Sequence, residues 1–124
     1  MNIHELLLGE IREANGAKSS WSGKLYSQDV TFYSAPLTPA DMEAVNKRYP
    51  GFEQSPTQPG FAYLLCIKAV DEDGKKVFAI GRDLPLVLKL KSEKLMDIVN
   101  SLFGQDFPSD TDLSDDAIGR TEGN

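Results

Sequence analysis

Few side chains in this sequence are of the kinds that perform nucleophilic or acid–base catalysis. The chain has one histidine, His4, and one cysteine, Cys66. A catalytic pair needs its base within hydrogen-bond reach of the nucleophile, because the base must take the nucleophile's proton. His4 stands at the start of a short helical segment, whereas Cys66 lies in an apolar run and should pack as a small hydrophobic side chain. The sequence therefore predicts no catalytic residue and a protein that is not an enzyme.

The acidic segment Asp71-Glu72-Asp73-Gly74 comes nearest to a metal-binding motif. A calcium-binding EF-hand loop has glycine at its sixth position and glutamate at its twelfth. Here glycine comes fourth, and Lys75-Lys76 follow where ligands would be needed. A charged turn, with Gly74 in a positive-φ conformation, explains the segment better. The sequence also lacks zinc-ligand spacing and glycine-rich phosphate-binding motifs, so we expect neither a metal nor a cofactor.

The net charge of −6 is concentrated near the C-terminus. From residue 105 onward, five aspartates and one glutamate stand against one arginine, which leaves the rest of the chain nearly neutral. A nucleic-acid site would need a basic stripe. The short run Lys89, Lys91 and Lys94 is explained as a solvated surface, or as a patch for an acidic partner or the chain's own tail. Nucleic acid is therefore not an expected partner.

Neither a membrane span nor a signal peptide is predicted. No stretch reaches the roughly 20 apolar residues that cross a bilayer. The first ten residues contain only a three-leucine run with acidic neighbours, which is not the pattern of a signal peptide. We therefore expect a cytosolic protein without membrane contact.

The apolar run Phe61–Val70 is the segment around which the rest of the chain should pack. Lys68 is its only charged residue, and an element that is apolar nearly all round belongs in the middle of a domain. We interpret it as a buried helix, with a buried strand paired across the Asp73-Gly74 turn as the rival interpretation.

Two further segments precede the central run. Asn2 can cap a short helix that places Ile3, Leu6, Leu7 and Ile11 near one face, and such a short helix must dock on something to be stable. Residues 21–34 are rich in β-branched and aromatic side chains, which predicts a hairpin that pairs roughly residues 24–26 with residues 30–34.

Thr38-Pro39-Ala40-Asp41 has the residue types that begin a helix, and Pro50-Gly51 ends it. The proline- and glycine-containing stretch from there to Gly60 should be a loop. Because they stand beside turn residues, three aromatic side chains are predicted to be exposed and to bind a partner: Trp21, Tyr49 and Phe52. For Phe52, which lies in the loop, the alternative is that it is tucked into the fold.

The second half of the chain should add helices to the core. Asp83 can cap a turn that contains Pro85, and the apolar residues there should make it largely buried: Leu84, Leu86, Val87, Leu88 and Leu90. Ser92 begins a last helix with an apolar stripe, Leu95–Phe103, that belongs in the core. The predicted fold class is α+β: a β-hairpin packed on a small helical core. Residues 1–108 should form a single domain, and residues 109–124 a disordered acidic tail.

The order of several short motifs resembles a known family. Trp21-Ser-Gly-Lys24 and a strand precede Leu37-Thr-Pro-Ala-Asp41 at the start of a helix. An apolar segment then runs into Val70-Asp-Glu-Asp-Gly-Lys-Lys-Val-Phe78, followed by Asp83-Leu84 and the stripe Leu95–Phe103. Over roughly residues 21–104 this arrangement resembles the tail assembly chaperones of long-tailed phages and prophages.

The resemblance implies a non-enzymatic protein that acts in the host cytoplasm and is absent from the mature virion. Such chaperones coat the tape measure protein and help to recruit tail tube subunits, and many are also made as a longer, frameshifted product. The partners it implies are the tape measure protein and the tail tube protein, with self-association possible on the former. On the residues alone, the alternative is a small cytosolic adaptor or regulatory module that binds another partner.

Overall fold

The structure, a computed structural model, describes residues 2–16, 18–104 and 106–107. Within these residues the elements follow one another as α1 (Ile3–Gly16), β1 (Ser19–Leu25), β2 (Gln28–Ser34), α2 (Pro39–Arg48), α3 (Gln58–Lys68), α4 (Ile80–Val87) and α5 (Ser92–Phe103). The fold is α+β, with a β-hairpin on a helical core, as predicted. The tail predicted for residues 109–124 lies outside the described residues. None of the described helices is both long enough and apolar enough to cross a membrane.

Helix α3 is the central element. Its buried side chains include Phe61, Leu64, Leu65 and Cys66, and α2, α4 and α5 all pack against it. The prediction of a buried helix is confirmed as far as Lys68, and for these residues the rival interpretation as a strand is wrong. Ala69 and Val70 lie beyond the helix and pair across the turn with Val77 and Lys76.

Helix α3 begins at Gln58, earlier than predicted. The Thr57 side chain accepts a hydrogen bond from the backbone N–H of Gly60 at 3.3 Å, and Pro59 occupies the first turn. A proline costs little there because the first N–H groups of a helix have no partner within the helix. Pro59-Gly60 is therefore the start of α3 and not part of a loop.

The hairpin has longer strands and a shorter turn than predicted. β1 and β2 pair antiparallel from Ser19 opposite Ser34 to Leu25 opposite Gln28. Only Tyr26 and Ser27 remain in the turn, both with positive φ, at 52° and 66°. One face of the hairpin is apolar, and Trp21 and Phe32 are buried there, against α5.

After α3 the chain reverses in a tight turn, as predicted from Gly74, whose φ is +82°. The Asp71 carboxylate accepts hydrogen bonds from the backbone N–H groups of Asp73 and Lys75, at 2.8 and 3.0 Å. Just before this turn, Val70 and Tyr33 exchange two backbone hydrogen bonds. The reversal is thereby tied to the edge of β2.

Helices α2 and α5 follow their sequence signals. Thr38 and Asp41 form a reciprocal capping box at the start of α2. In α5 the predicted apolar stripe is buried, so its assignment to the core is confirmed. Helix α4 departs from expectation: it begins at Ile80, and Asp83 lies inside it and reaches back to accept the N–H of Ala79 at 2.8 Å.

Candidate protein-interaction surface

Helix α1 carries an exposed apolar stripe, which we define as Ile3, Leu6, Leu7 and Ile11. Their exposed fractions lie between 52% and 69%, although such residues at helical spacing normally face a core. The sequence predicts that this helix docks on something, and the described part of the chain does not cover its stripe. The stripe is instead a surface available to another molecule.

Local signals are sufficient to begin α1. The backbone N–H of Glu5 donates to the Asn2 side chain at 2.8 Å, and the N–H of Asn2 donates back to the Glu5 carboxylate at 3.1 Å. This reciprocal pair satisfies two N–H groups that a helix start leaves without partners. Fourteen residues are nevertheless close to the lower limit for an isolated helix in water. Helix α1 would thus gain stability by covering its stripe.

A second apolar feature opens beside α4, and we call it the α4 cleft. It has a volume of about 180 Å³. Its buried walls include Phe32, Leu65 and Ile98. Its more exposed walls are Leu25, Phe78, Leu86 and Leu90. Cavities that bind small molecules usually measure about 300–1,000 Å³, so the size of the α4 cleft suits a side chain better than a cofactor.

Leu86 is the most exposed residue of the α4 cleft, at 61%. The sequence had indicated that Leu86 and Leu88 are largely buried, and that expectation is wrong for both, since Leu88 is 44% exposed. They leave α4 in different directions: Leu86 lines the cleft, and Leu88 is not among the residues that do. Two residues along a helix point to different sides.

The charged residues next in the chain to the walls of the α4 cleft are mainly basic. Asp83, its one charged wall residue, is bound by Arg82 at 2.8 Å, and hydrogen bonds from Arg82 and Ala79 lower the pKa of Asp83. Lys89 and Lys91 flank the wall residue Leu90 in the chain, and Lys24 precedes the wall residue Leu25. From residue 82 to residue 94, four basic residues stand against two acidic ones.

Trp21 is buried, so the prediction that it is exposed is wrong. Only 4% of it is accessible. Its ring stacks on Phe32 with centroids 5.5 Å apart, and its indole N–H donates to the Asp97 carboxylate at 2.8 Å. Trp21 joins the hairpin to α5, and its burial removes the basis for a direct role in partner binding.

Phe52 is likewise buried, with 1% exposed. It lies in an aromatic cluster, with ring centroids 5.1 Å from Phe61 and 6.1 Å from Phe107. Tyr49 is half-buried and packs edge-on against Tyr63, with Arg48 above both rings. For Tyr49 and Phe52, the neighbouring turn residues therefore indicated a chain segment that its aromatic side chain anchors to the fold, and not an exposed ring. The structure does not bring Trp21, Tyr49 and Phe52 together into one surface.

Two polar groups singled out in the sequence, Cys66 and Asp71, are engaged in the fold. Burial, and secondarily the negative charge of Asp83, raise the pKa of the Cys66 thiol to about 11, which suppresses the nucleophilic thiolate. Asp71 is occupied by backbone N–H groups of its turn, which also lower its pKa. Among these residues no group of three or more histidine, cysteine, aspartate or glutamate side chains could hold a metal ion.

No protein-family model matches this sequence, and comparisons with curated proteins and with solved structures gave no significant match either. The α1 stripe and the α4 cleft are thus the features from which a function can be argued. The stripe was visible in the sequence as a periodic pattern, but its exposure was not. The cleft had no sequence signal, because its walls come from segments far apart in the chain.

Proposed function

We propose that this protein is a phage tail assembly chaperone, a non-enzymatic protein that keeps the apolar helices of a tape measure protein covered until tail tube subunits assemble around it. The exposed α1 stripe carries the proposal. Large contiguous apolar surfaces on a folded protein usually mark sites where another protein binds. An amphipathic helix with anchors at Ile3, Leu7 and Ile11 is one of the recurring ways in which proteins recognise apolar helices or grooves.

The mechanism is reversible burial. Each copy of the protein covers apolar surface on the tape measure protein, which would otherwise aggregate, and burial of that surface drives the association. Tube subunits later displace the chaperone because they bury the same surface more favourably. The protein would accordingly act in the host cytoplasm and be absent from the mature virion, with the tail tube protein as its second partner.

The decisive experiment is co-expression with the long coiled-coil protein encoded nearest to this chain's gene. We expect the wild-type chain to keep that protein in the soluble fraction after centrifugation. The double variant Leu7→Gln/Ile11→Gln should lose this effect, since it interrupts the α1 stripe. The matched control is Glu5→Gln/Arg12→Gln, which places the same new residues on the opposite side of α1 and should retain activity. Glutamine can take the place of Glu5 in the reciprocal pair with Asn2.

Two results would contradict the proposal. The first is that the coiled-coil protein stays insoluble with the wild-type chain. The second is a gene neighbourhood without a tube protein gene and a very long coiled-coil gene. In the latter case, capture of a different, shorter partner by the wild-type chain but not by Leu7→Gln/Ile11→Gln would favour the adaptor alternative.

A further inference from the structure

The α1 stripe and the α4 cleft complement each other in shape and chemistry. The stripe offers leucine and isoleucine side chains that are more than half exposed. The cleft offers an apolar recess of about 180 Å³, and anchoring side chains that fill such recesses dominate the affinity of protein interfaces. The α1 stripe therefore supplies anchoring side chains, and the α4 cleft supplies an apolar recess that can receive them.

Their charges also complement each other. Helix α1 contains Glu5, Glu10 and Glu13 against Arg12, so it is acidic. The segment from residue 82 to residue 94 is basic, and its Lys89 and Lys91 flank the wall residue Leu90. Opposite charges across an interface favour association and fix its orientation. Two α1 helices packed on each other would instead bring like charges together.

The cleft of the same chain is poorly placed to receive α1. Only residues 17 and 18 separate the end of α1 from β1, and the cleft begins at Leu25, at the far end of β1. Seven strand residues span about 20 Å and fourteen helical residues about 21 Å. Helix α1 would have to fold back flat along β1 to bring even its first turn to the cleft.

The surface along that route is polar. One face of the hairpin is covered by α5. The other presents Ser20, Ser22 and Lys24, all exposed, and Ser22 is hydrogen-bonded to Thr31 across the strands at 2.9 Å. The apolar stripe would therefore lie over serines and a lysine, and its side chains would gain few apolar contacts there.

We propose that α1 of one copy of this chain docks in the α4 cleft of a second copy, with Leu7 and Ile11 as anchors. When both copies donate α1 and both receive it, the two contacts are equivalent and the assembly closes as a dimer. The inference concerns the chain alone and does not depend on the proposed function. In a chaperone, the exchange would cover the stripe until an apolar partner displaces it.

The test is sedimentation velocity of the purified full chain over a concentration series. We expect a reversible dimer that weakens as salt is added. Leu7→Gln/Ile11→Gln should raise the dissociation constant at least about tenfold, and so should Leu86→Gln in the cleft. Leu88→Gln is the matched control, because Leu88 is an exposed leucine beside the same helix but does not line the cleft; it should dimerise as the wild type does.

Mixing the two defective variants separates this arrangement from others. The α1 variant keeps an intact cleft, and the Leu86→Gln variant keeps an intact α1, so an equimolar mixture should form a heterodimer through one restored contact. Unchanged circular dichroism spectra would show that each variant is folded. A wild-type chain that stays monomeric overturns the inference, as does normal dimerisation of Leu86→Gln.

Failure of the exchange can be told apart from failure of the proposed function. If the chain is monomeric alone but still solubilises the coiled-coil protein, only the exchange is wrong. If the dimer forms as described but the coiled-coil protein stays insoluble, only the chaperone proposal is wrong.

Discussion

Phe52 and Gly60 show how a single position can admit a large side chain to the core. A Cβ atom built at Gly60 would collide with the Phe52 ring, which is itself held between Phe61 and Phe107. The absence of a side chain at Gly60 thus lets the loop before α3 close onto the helix. Gly81, in α4, has no atom within 4 Å of the corresponding position.

We therefore predict that Gly60→Ala destabilises the protein by about 1–3 kcal/mol, the usual cost of forcing extra atoms into a packed core. Gly81→Ala, the same change in another helix, should stabilise it by up to about 1 kcal/mol, because alanine favours the helix and meets no neighbour. Urea denaturation measures both. Equal effects of the two substitutions would contradict the packing described here.

The Asp41–Lys68 pair predicts a pH-dependent contribution to stability. Its two charged groups are 2.9 Å apart and largely shielded from solvent. Burial alone would raise the pKa of Asp41, but hydrogen bonds from Lys68 and Thr38 outweigh it and lower the pKa. A lowered pKa in the folded state stabilises the fold above the ordinary value of 3.8. This stabilisation is lost as the pH falls below that value.

Lys68→Met should accordingly lower the free energy of unfolding at pH 7 by about 1–2 kcal/mol, less than for a fully buried pair because some solvent reaches both groups. The deficit should shrink progressively as unfolding is repeated at pH values falling from 3.8 through the lower pKa of folded Asp41, where the carboxyl becomes protonated in the folded state too and no longer needs the ammonium. Lys47→Met, at an exposed position in α2, is the control. A deficit that does not vary with pH would show that the charge pair is not its cause.

Helices and strands could be predicted where the residues that define them are close together in the sequence. Thr38 and Asp41 are three residues apart and cap α2 by themselves, so this helix could be located from sequence. The hairpin turn could not, since Tyr26 and Ser27 adopt positive φ without the glycine or asparagine that normally announces such a turn. The strands were consequently predicted too short.

That turn offers a stabilising substitution. Tyr26→Asn/Ser27→Gly should raise the free energy of unfolding by about 1 kcal/mol, because both new residues adopt positive φ more readily. Little packing is lost, since Tyr26 is 98% exposed. Thermal and urea unfolding would measure the gain. The same pair of changes at Gln28 and Asp29, which lie in β2, should instead destabilise.

Helix α1 supports a different prediction. Because its stripe is exposed, removal of residues 1–17 should leave the melting temperature of the remaining chain unchanged when measured at low concentration, where copies are separate. A loss of several degrees under those conditions would mean that α1 is covered by its own chain.

For the whole molecule, most of the residues that form the core could be predicted from the sequence, but the contacts among them could not. The apolar residues of α3 and α5 were correctly placed inside, since each helix shows its pattern locally. Trp21 was misplaced because its burial depends on Asp97 and Phe32, which no local pattern connects to it. The α4 cleft was missed for the same reason, as its walls come from distant segments.

The burial of Cys66 allows the stability of the whole molecule to be measured chemically. Its thiol is 1% exposed and has a pKa raised to about 11, so a disulfide reagent at pH 8 should label native protein very slowly. Labelling in increasing urea should follow global unfolding, because α3 is the centre of the core. Rapid labelling in buffer alone would indicate that α3 opens locally.

The position of Trp21 between the hairpin and α5 also determines what the fluorescence of this protein reports. It is the chain's one indole, stacked on Phe32 and tethered to Asp97 across two elements. The ultraviolet fluorescence of this protein therefore comes mainly from the contact between the hairpin and α5. A shift of the emission maximum to longer wavelength would report water reaching the Trp21 ring. Structural changes confined to α1 should leave the emission maximum unchanged.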